Sequence, residues 1–215
     1  LAARRRRLDA ARRSPTPAGG PRRLGAKRPR DAQVVPLLRN ATPFGDLGPD
    51  SRVPKMLAHL AFSRARWLLY VDAKLRLYEP AAVWTLLRDR LVRTEAYWAS
   101  PRHSTRESAF EEARCVHLLK LADDRVLRQA HAYLQEGLEH SGLVDGEWHL
   151  RDMGNWRSAA LGCAWFEEFA TWGHGRDQVA FPYVARHLSG VHRCDYRDGG
   201  VFSHAERAGP ARDEA

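Results

Sequence analysis

The chain has 215 residues, enough for one domain with a substantial core, and a formal net charge of +9. That charge is local, because residues 1–39 hold twelve of the 35 Lys and Arg but two of the 26 acids, leaving 23 bases and 24 acids elsewhere. The composition therefore argues against a basic surface throughout. No apolar run approaches the roughly 20 residues of a membrane span, so no transmembrane segment is expected in this chain. Cys115, Cys163 and Cys194 are odd in number and widely spaced, which excludes a disulfide framework and predicts buried thiols, with at most one bridge in a lumenal compartment.

Residues 1–39 are rich in Arg, Pro, Gly and Ala and have no aromatic residue. Such a segment cannot bury enough apolar surface to offset its ordering entropy and is predicted to be a disordered basic tail. It offers electrostatic attachment to nucleic acid or an anionic membrane, or else serves as a solvated arm or an organellar targeting segment; no specific nucleic-acid partner is expected. The opening Leu predicts that the chain is a piece of a longer protein. Residues 34–51 read as a lead-in with at most a short strand at Val34–Leu38, and the main domain is expected over 40–198.

Pro54 suits a first helical turn, and Met56, Leu57, Leu60 and Ala61 form a stripe ending near Ser63. The apolar run Trp67–Asp72 reads as a buried strand that ends on an acid. Pro80 opens a helix with Val83, Trp84, Leu87 and Leu91 on one face. A short strand is expected at Glu95–Ala99 and a loop at Ser100–Ser104. Ser108 and Glu111 form a capping box, and Asp123 or Asp124 caps the next helix, which Gly137 ends. Trp148–Leu150 reads as a strand, Arg151–Ser158 as a polar loop and Leu161–Trp172 as a helix broken by Gly173 and Gly175. A last helix opens at Asp177 and runs to His187, with Pro182 predicting a kink or a delayed start. Residues 199–215 read as a disordered C-terminal tail. Strands alternating with helices indicate an α/β domain with a partly parallel sheet.

Three polar clusters stand at element ends. Asp72-Ala73-Lys74 follows the first strand, where α/β sheets gather ligands, with Arg52 and Lys55 just upstream. There Asp72 is a turn residue or a contact for a diphosphate sugar and its metal. Arg151 after the second strand is either a salt bridge or a fork for a phosphate or carboxylate. Arg176-Asp177-Gln178 is a helix cap or, with Trp165, Glu168 and Trp172 upstream, part of a sugar site. His103, His131, His187 and His192 lack metal-ligand spacing, and no nucleophile elbow, P-loop or dinucleotide fingerprint is present.

In order along the chain, these stretches resemble one family. Arg52-Val53-Pro54-Lys55 and Leu69-Tyr70-Val71-Asp72-Ala73-Lys74-Leu75-Arg76-Leu77 look like its R-x-P-K and W-V-D-G-K-L-x-L segments. Ser100-Pro101-Arg102-His103 with Ala109-Phe110-Glu111-Glu112-Ala113 is similar to its H-P-x-R and Y-E-E-A stretch. Trp148-His149-Leu150-Arg151, Cys163-Ala164-Trp165-Phe166-Glu167-Glu168 and Gly175-Arg176-Asp177-Gln178-Val179-Ala180-Phe181 resemble its V-I-I-R-E-H, C-L-W-F-N-E and S-R-D-Q-L-S-F. The family is the plant and bacterial glycosyltransferase-like group once called domain of unknown function six-one-six, which includes proteins of seed-coat mucilage and pectin synthesis. The resemblance covers about residues 52–188.

The resemblance implies a GT-A-like nucleotide-sugar-binding sheet flanked by helices, lacking part of its N-terminal nucleotide-binding unit. It also implies transfer of a sugar, including a uronic acid, from a nucleotide sugar to a glycan acceptor. Arg52, Lys55, Asp72, Lys74 and Arg151 would bind the donor, and His103, Trp165, Arg176 and Gln178 the acceptor or sugar. Asp177 and Glu168 would be catalytic. Lys74 takes the place of the second acid of a D-x-D motif, so no cofactor is expected to be required, with Asp72 the position for any divalent metal. An inactive or truncated member that binds a glycan or a partner is the alternative. A Golgi lumenal location would follow if a membrane anchor lies upstream.

Overall fold

The computed structural model describes Phe44 and residues 47–77, 80–140, 142–194 and 202–204. The expected basic tail, the strand at Val34–Leu38 and most of the C-terminal tail lie outside the described residues. After a one-turn helix α1 (Leu47–Asp50), α2 (Val53–Ala61) begins with Pro54 in its first turn and is kinked at Leu57. Strand β1 (Trp67–Val71) and the short β2 (Leu75–Leu77) flank Asp72–Lys74. Helix α3 (Pro80–Leu87) runs into a π-helical turn at Arg88–Val92 and is followed by β3 (Trp98–Pro101). The capping box forms at the start of α4 (Ala109–Leu118), where the Glu111 N–H donates to Ser108 Oγ. Asp123, not Asp124, caps α5 (Asp124–Gln135). Then come β4 (Trp148–Asp152), α6 (Trp156–Trp172), α7 (Asp177–Ala185), β5 (Val191–Cys194) and β6 (Phe202–His204).

The main sheet has the order β1-β4-β3-β5. β4 is antiparallel to both β1 and β3, whereas β3 and β5 are parallel. Three strands therefore run one way and β4 against them, giving a small mixed α/β sheet flanked by helices. Side-chain alternation divides its faces. Met56, Trp98, Leu161, Trp165 and Phe181 form the core toward α2, α6 and α7. Leu86, Leu91, Ala99, Trp148 and Leu150 pack on the other face with α3 and its π turn. Helices α4 and α5 form a third cluster against Val179 of α7.

Several boundaries differ from the sequence reading, among them the end of α7 at Ala185 rather than His187. β3 starts later and includes Ser100 and Pro101, because the π turn extends the preceding helix to Val92. β4 continues through Arg151 and Asp152, since a buried Arg151 finds carbonyl partners in α2. α6 starts five residues early, with Asn155 accepting the Arg157 N–H as its cap. Phe202–His204, expected to be irregular, form a strand on β2, with Phe202 packed 5.7 Å from the Trp148 ring. Pro182 is accommodated inside α7. All three cysteines are free thiols, and Cys163 is exposed rather than buried. Among the described residues no helix is long and apolar enough to cross a membrane.

Candidate functional site

Two of the three polar clusters, around Asp72–Lys74 and Asp177–Gln178, converge beyond the carboxyl ends of β1 and β3, at the end of the sheet where α/β proteins bind ligands. Arg151 instead pairs with the start of both strands. Lys55 is the centre. Helix α2 is kinked at Leu57, and Arg151 meets the carbonyls of the turn just before the kink. Its guanidinium donates to Met56 O at 3.1 Å and to Lys55 O, and lies 3.8 Å from the Trp98 ring centroid. Gly162 allows this approach of α2 to α6, since a Cβ there would meet Met56 O at 2.4 Å. Held so, Lys55 Nζ lies 5.4 and 5.6 Å from the Tyr70 and Trp165 ring centroids and 2.6 Å from Asp177 Oδ2. Gly146 leaves room for it, as a Cβ there would lie 2.6 Å from Nζ.

Asp177 is buried at the first turn of α7 and is also paired with Arg52 at 3.1 Å. Burial alone would raise its carboxyl, but Lys55 and Arg52 outweigh burial and hold it below the ordinary carboxylate value. The buried His149 beneath them hydrogen-bonds Ser100 Oγ through Nδ1 at 2.7 Å. Burial, then Lys55 and Arg151, push its imidazole well below its ordinary value, so this floor stays neutral.

The rim is built from the turn after β1 and the segment before β4. The Tyr70 hydroxyl donates to Asp72 Oδ1 at 2.8 Å, and burial and that carboxylate raise the phenol. Lys74 Nζ lies 2.5 Å from Glu147 Oε1 and 3.9 Å from Asp72 Oδ2. Asp145 stands beside them, with its N–H donating to Pro101 O and its Oδ1 accepting the Glu147 N–H at 3.2 Å. Burial and then Glu147 push the Asp145 carboxyl up to about 6, against the opposing pull of Lys74 and Lys55. Asp145-Gly146-Glu147 was not singled out in the sequence, although an acid-Gly-acid turn directly before a strand was its visible signal.

The other expected site residues are placed differently. Arg151 is fully buried and cannot reach a donor; it positions Lys55. Trp165 is also fully buried, with Nε1 donating to Asp177 O at 2.7 Å, so no face is open to a sugar. Glu168 accepts from Tyr133 Oη at 2.9 Å and Trp172 Nε1 at 2.8 Å, in a network that continues through Gln129 to His174. That network lies between α5 and α6, and Glu168 is not brought to Asp177. His103 organises the turn after β3, its Nδ1 accepting from the Thr105 and Arg106 N–H groups. Arg176 reaches Glu112 of α4 at 3.3 Å, and Arg106 lies 2.6 Å from the same buried carboxylate. Gln178 ties α7 to the 142–147 segment through Val144 O. Of the expected set, Arg52, Lys55, Tyr70-bound Asp72, Lys74, Asp177 and Gln178 come together.

A divalent metal at Asp72 would need further ligands. Its two oxygens face the Tyr70 hydroxyl and Lys74, and among the described residues no group of three or more His, Cys, Asp or Glu is arranged to hold a metal. The residues present do not fit a ready-made metal site, and no step below passes through one.

A small mixed sheet flanked by helices, with a charged, aromatic-floored cluster at the carboxyl ends of β1 and β3, defines a mixed α/β domain. The chain belongs to the TOD1/MUCI70 glycosyltransferase-like domain family, whose model matches residues 33–207. This is the glycosyltransferase-like grouping to which the ordered motifs pointed. No curated protein and no solved structure is detectably similar to the chain.

Proposed function

We propose that the chain transfers a sugar from a nucleotide sugar to a glycan hydroxyl on a GT-A-like scaffold, with the cluster around Lys55, Lys74 and Asp145 as its reaction centre. The observation that carries the reading is the contrast between two carboxylates at one sheet end. Asp177 is locked below its ordinary value by two cations, whereas Asp145 is raised to about 6 at a partly exposed position. Environments that push two acids apart separate a fixed charge from a proton acceptor. In a single displacement the acceptor oxygen bonds to the anomeric carbon as that carbon's bond to the diphosphate oxygen breaks. The hydroxyl proton passes to Asp145, and the electron pair leaves on the diphosphate, opposite Lys74 and Arg52. Asp177 holds Lys55 and Arg52 in place, and Asp72 orients the donor through its link to Tyr70.

Calorimetry with a panel of nucleotide sugars tests this reading: one donor should bind, and heat from none would refute it. The transfer needs no divalent ion in this proposal. Activity abolished by a chelator and restored by manganese would overturn that part alone. A second reading, a non-catalytic member that binds a glycan or partner, is favoured by one observation. Arg52, Lys55 and Lys74 each already face a carboxylate. Donor binding without turnover over any acceptor would favour it.

A further inference from the structure

We propose that Arg102 and Arg193 form a subsite for an oxyanion group, separate from the Lys74 rim, at the carboxyl ends of β3 and β5. The two strands are parallel, with Ser100 opposite Arg193 and Pro101 opposite Cys194, and the Arg102 N–H extends the ladder to Cys194 O at 2.7 Å. Arg102 therefore emerges directly beside the end of β5. Its Nε reaches Arg193 O at 3.5 Å, and neither arginine has a carboxylate partner among the described residues. Arg193 Nε is buried and has no hydrogen-bond partner. Burial and then the neighbouring Arg102 pull the Arg193 guanidinium below its ordinary value, the direction expected for two like charges held together.

A buried donor without an acceptor and an uncompensated pair of like charges are both unfavourable unless something outside the chain satisfies them. The surroundings suit an anion. Val144 bridges to Arg102 and fixes the segment before β4 alongside. Gly142, at φ +56°, keeps that side clear: a Cβ there would lie 3.3–3.5 Å from Arg193 Cδ, Nε and Cζ. The contrast with the rest of this sheet end is charge. Arg52, Lys55 and Lys74 are all paired with acids, so among the described residues of this sheet end the positive charge without a carboxylate partner lies at Arg102 and Arg193. Guanidinium groups present planar forks of donors that match phosphoryl and carboxylate oxygens. The ligand class is thus a molecule carrying such a group, either the diphosphate of a nucleotide donor or the carboxylate of a uronate. The subsite does not require the transferase reading, because its readout is binding rather than turnover.

The test is calorimetric titration of the full chain with pyrophosphate and, separately, with glucuronate. Physiological salt screens loose attraction to the arginines of residues 1–39. Wild type should bind at least one of the two with unit stoichiometry, and the tighter one names the source. Arg193→Gln and the exposed Arg102→Gln should each weaken binding roughly tenfold or more, while Arg128→Gln, at an exposed position of α5, leaves it unchanged. Arg102→Gln carries the test if Arg193→Gln does not fold. Loss of binding in Lys74→Ala with retention in both arginine variants would overturn the proposal, as would no binding of either anion by wild type. Asp195 and Asp198 follow β5 outside the described residues. Binding seen only after Asp195→Asn and Asp198→Asn would make those acids the internal partners and overturn it as well.

Discussion

Replacing Asp145 by Asn separates stability from activity at the proposed reaction centre. The Asp145 carboxyl is raised from 3.8 to about 6 by burial and by Glu147, so at neutral pH the folded protein carries an ionised group in an unfavourable place. A displacement of that size sets a ceiling of about 3 kcal/mol at neutral pH. Part of the side chain is in water and Lys74 and Lys55 stay nearby, so about 1–2 kcal/mol is the expected recoverable share. The sign follows from linkage. Below about pH 4 the acid is protonated in both states and the variant gains nothing. Between 3.8 and about 6 the unfolded chain gives up its proton first, and wild type loses stability as pH rises. Above that window the loss is complete. Asn keeps the Oδ1 acceptor for the Glu147 N–H. Asp145→Asn should therefore melt about 2–6 °C above wild type at pH 7.5 and together with it near pH 4, while transfer is lost. A variant that melts below wild type at pH 7.5, by the same margin at every pH, would refute the reasoning.

Three further substitutions probe the scaffold. Gly162→Ala places a methyl 2.4 Å from Met56 O and should cost about 1–3 kcal/mol in urea unfolding, with donor binding weakened as α2 shifts. Arg151→Lys keeps the charge but loses the fork to the Lys55 and Met56 carbonyls and the stacking on Trp98; a loss of about 2–4 kcal/mol is expected, and an unchanged unfolding midpoint would contradict its positioning role. Glu168→Gln retains an oxygen for Tyr133 and Trp172, so stability should fall by only about 1 kcal/mol and transfer should persist; loss of transfer with stability intact would restore Glu168 to the reaction.

Local patterns made much of the fold legible. The acid-ended run of β1 and the Ser108–Glu111 capping box are each written within a few residues, so spacing alone identifies them, and it narrows the next cap to Asp123 or Asp124. The site is legible only in part, because its chemistry depends on what the topology brings together. Arg52 and Asp177 are 125 residues apart, and nothing near Asp177 says that two cations will neutralise it. Arg151 has the residue type of a phosphate fork, yet its donors end on helix carbonyls beside a kink that has no proline or glycine at Leu57. Trp165 looks like a sugar platform until the core closes over both faces. Asp145 is unremarkable as a turn residue and acquires its character from burial beside Glu147, which only the packed sheet end supplies.

The Lys74–Glu147 pair gives the proposed reaction a coupling that kinetics can read. Lys74 lies 2.5 Å from Glu147 and lowers the Asp145 carboxyl, whereas Glu147 raises it. A donor diphosphate that draws Lys74 away removes the lowering influence while Glu147 stays beside Asp145. The diphosphate charge acts in the same direction, so Asp145 becomes a stronger base once the donor is seated. The acid limb of kcat/KM reports the free protein and should lie near pH 6, while the acid limb of kcat reports the loaded one and should lie higher. In Lys74→Met, which lacks the moving charge, the two limbs should draw together, because the free protein already has the raised Asp145. An acid limb of kcat below that of kcat/KM in the wild-type chain would mean that Lys74 stays with the carboxylates during turnover, and Asp145 would then lose its place as the proton acceptor.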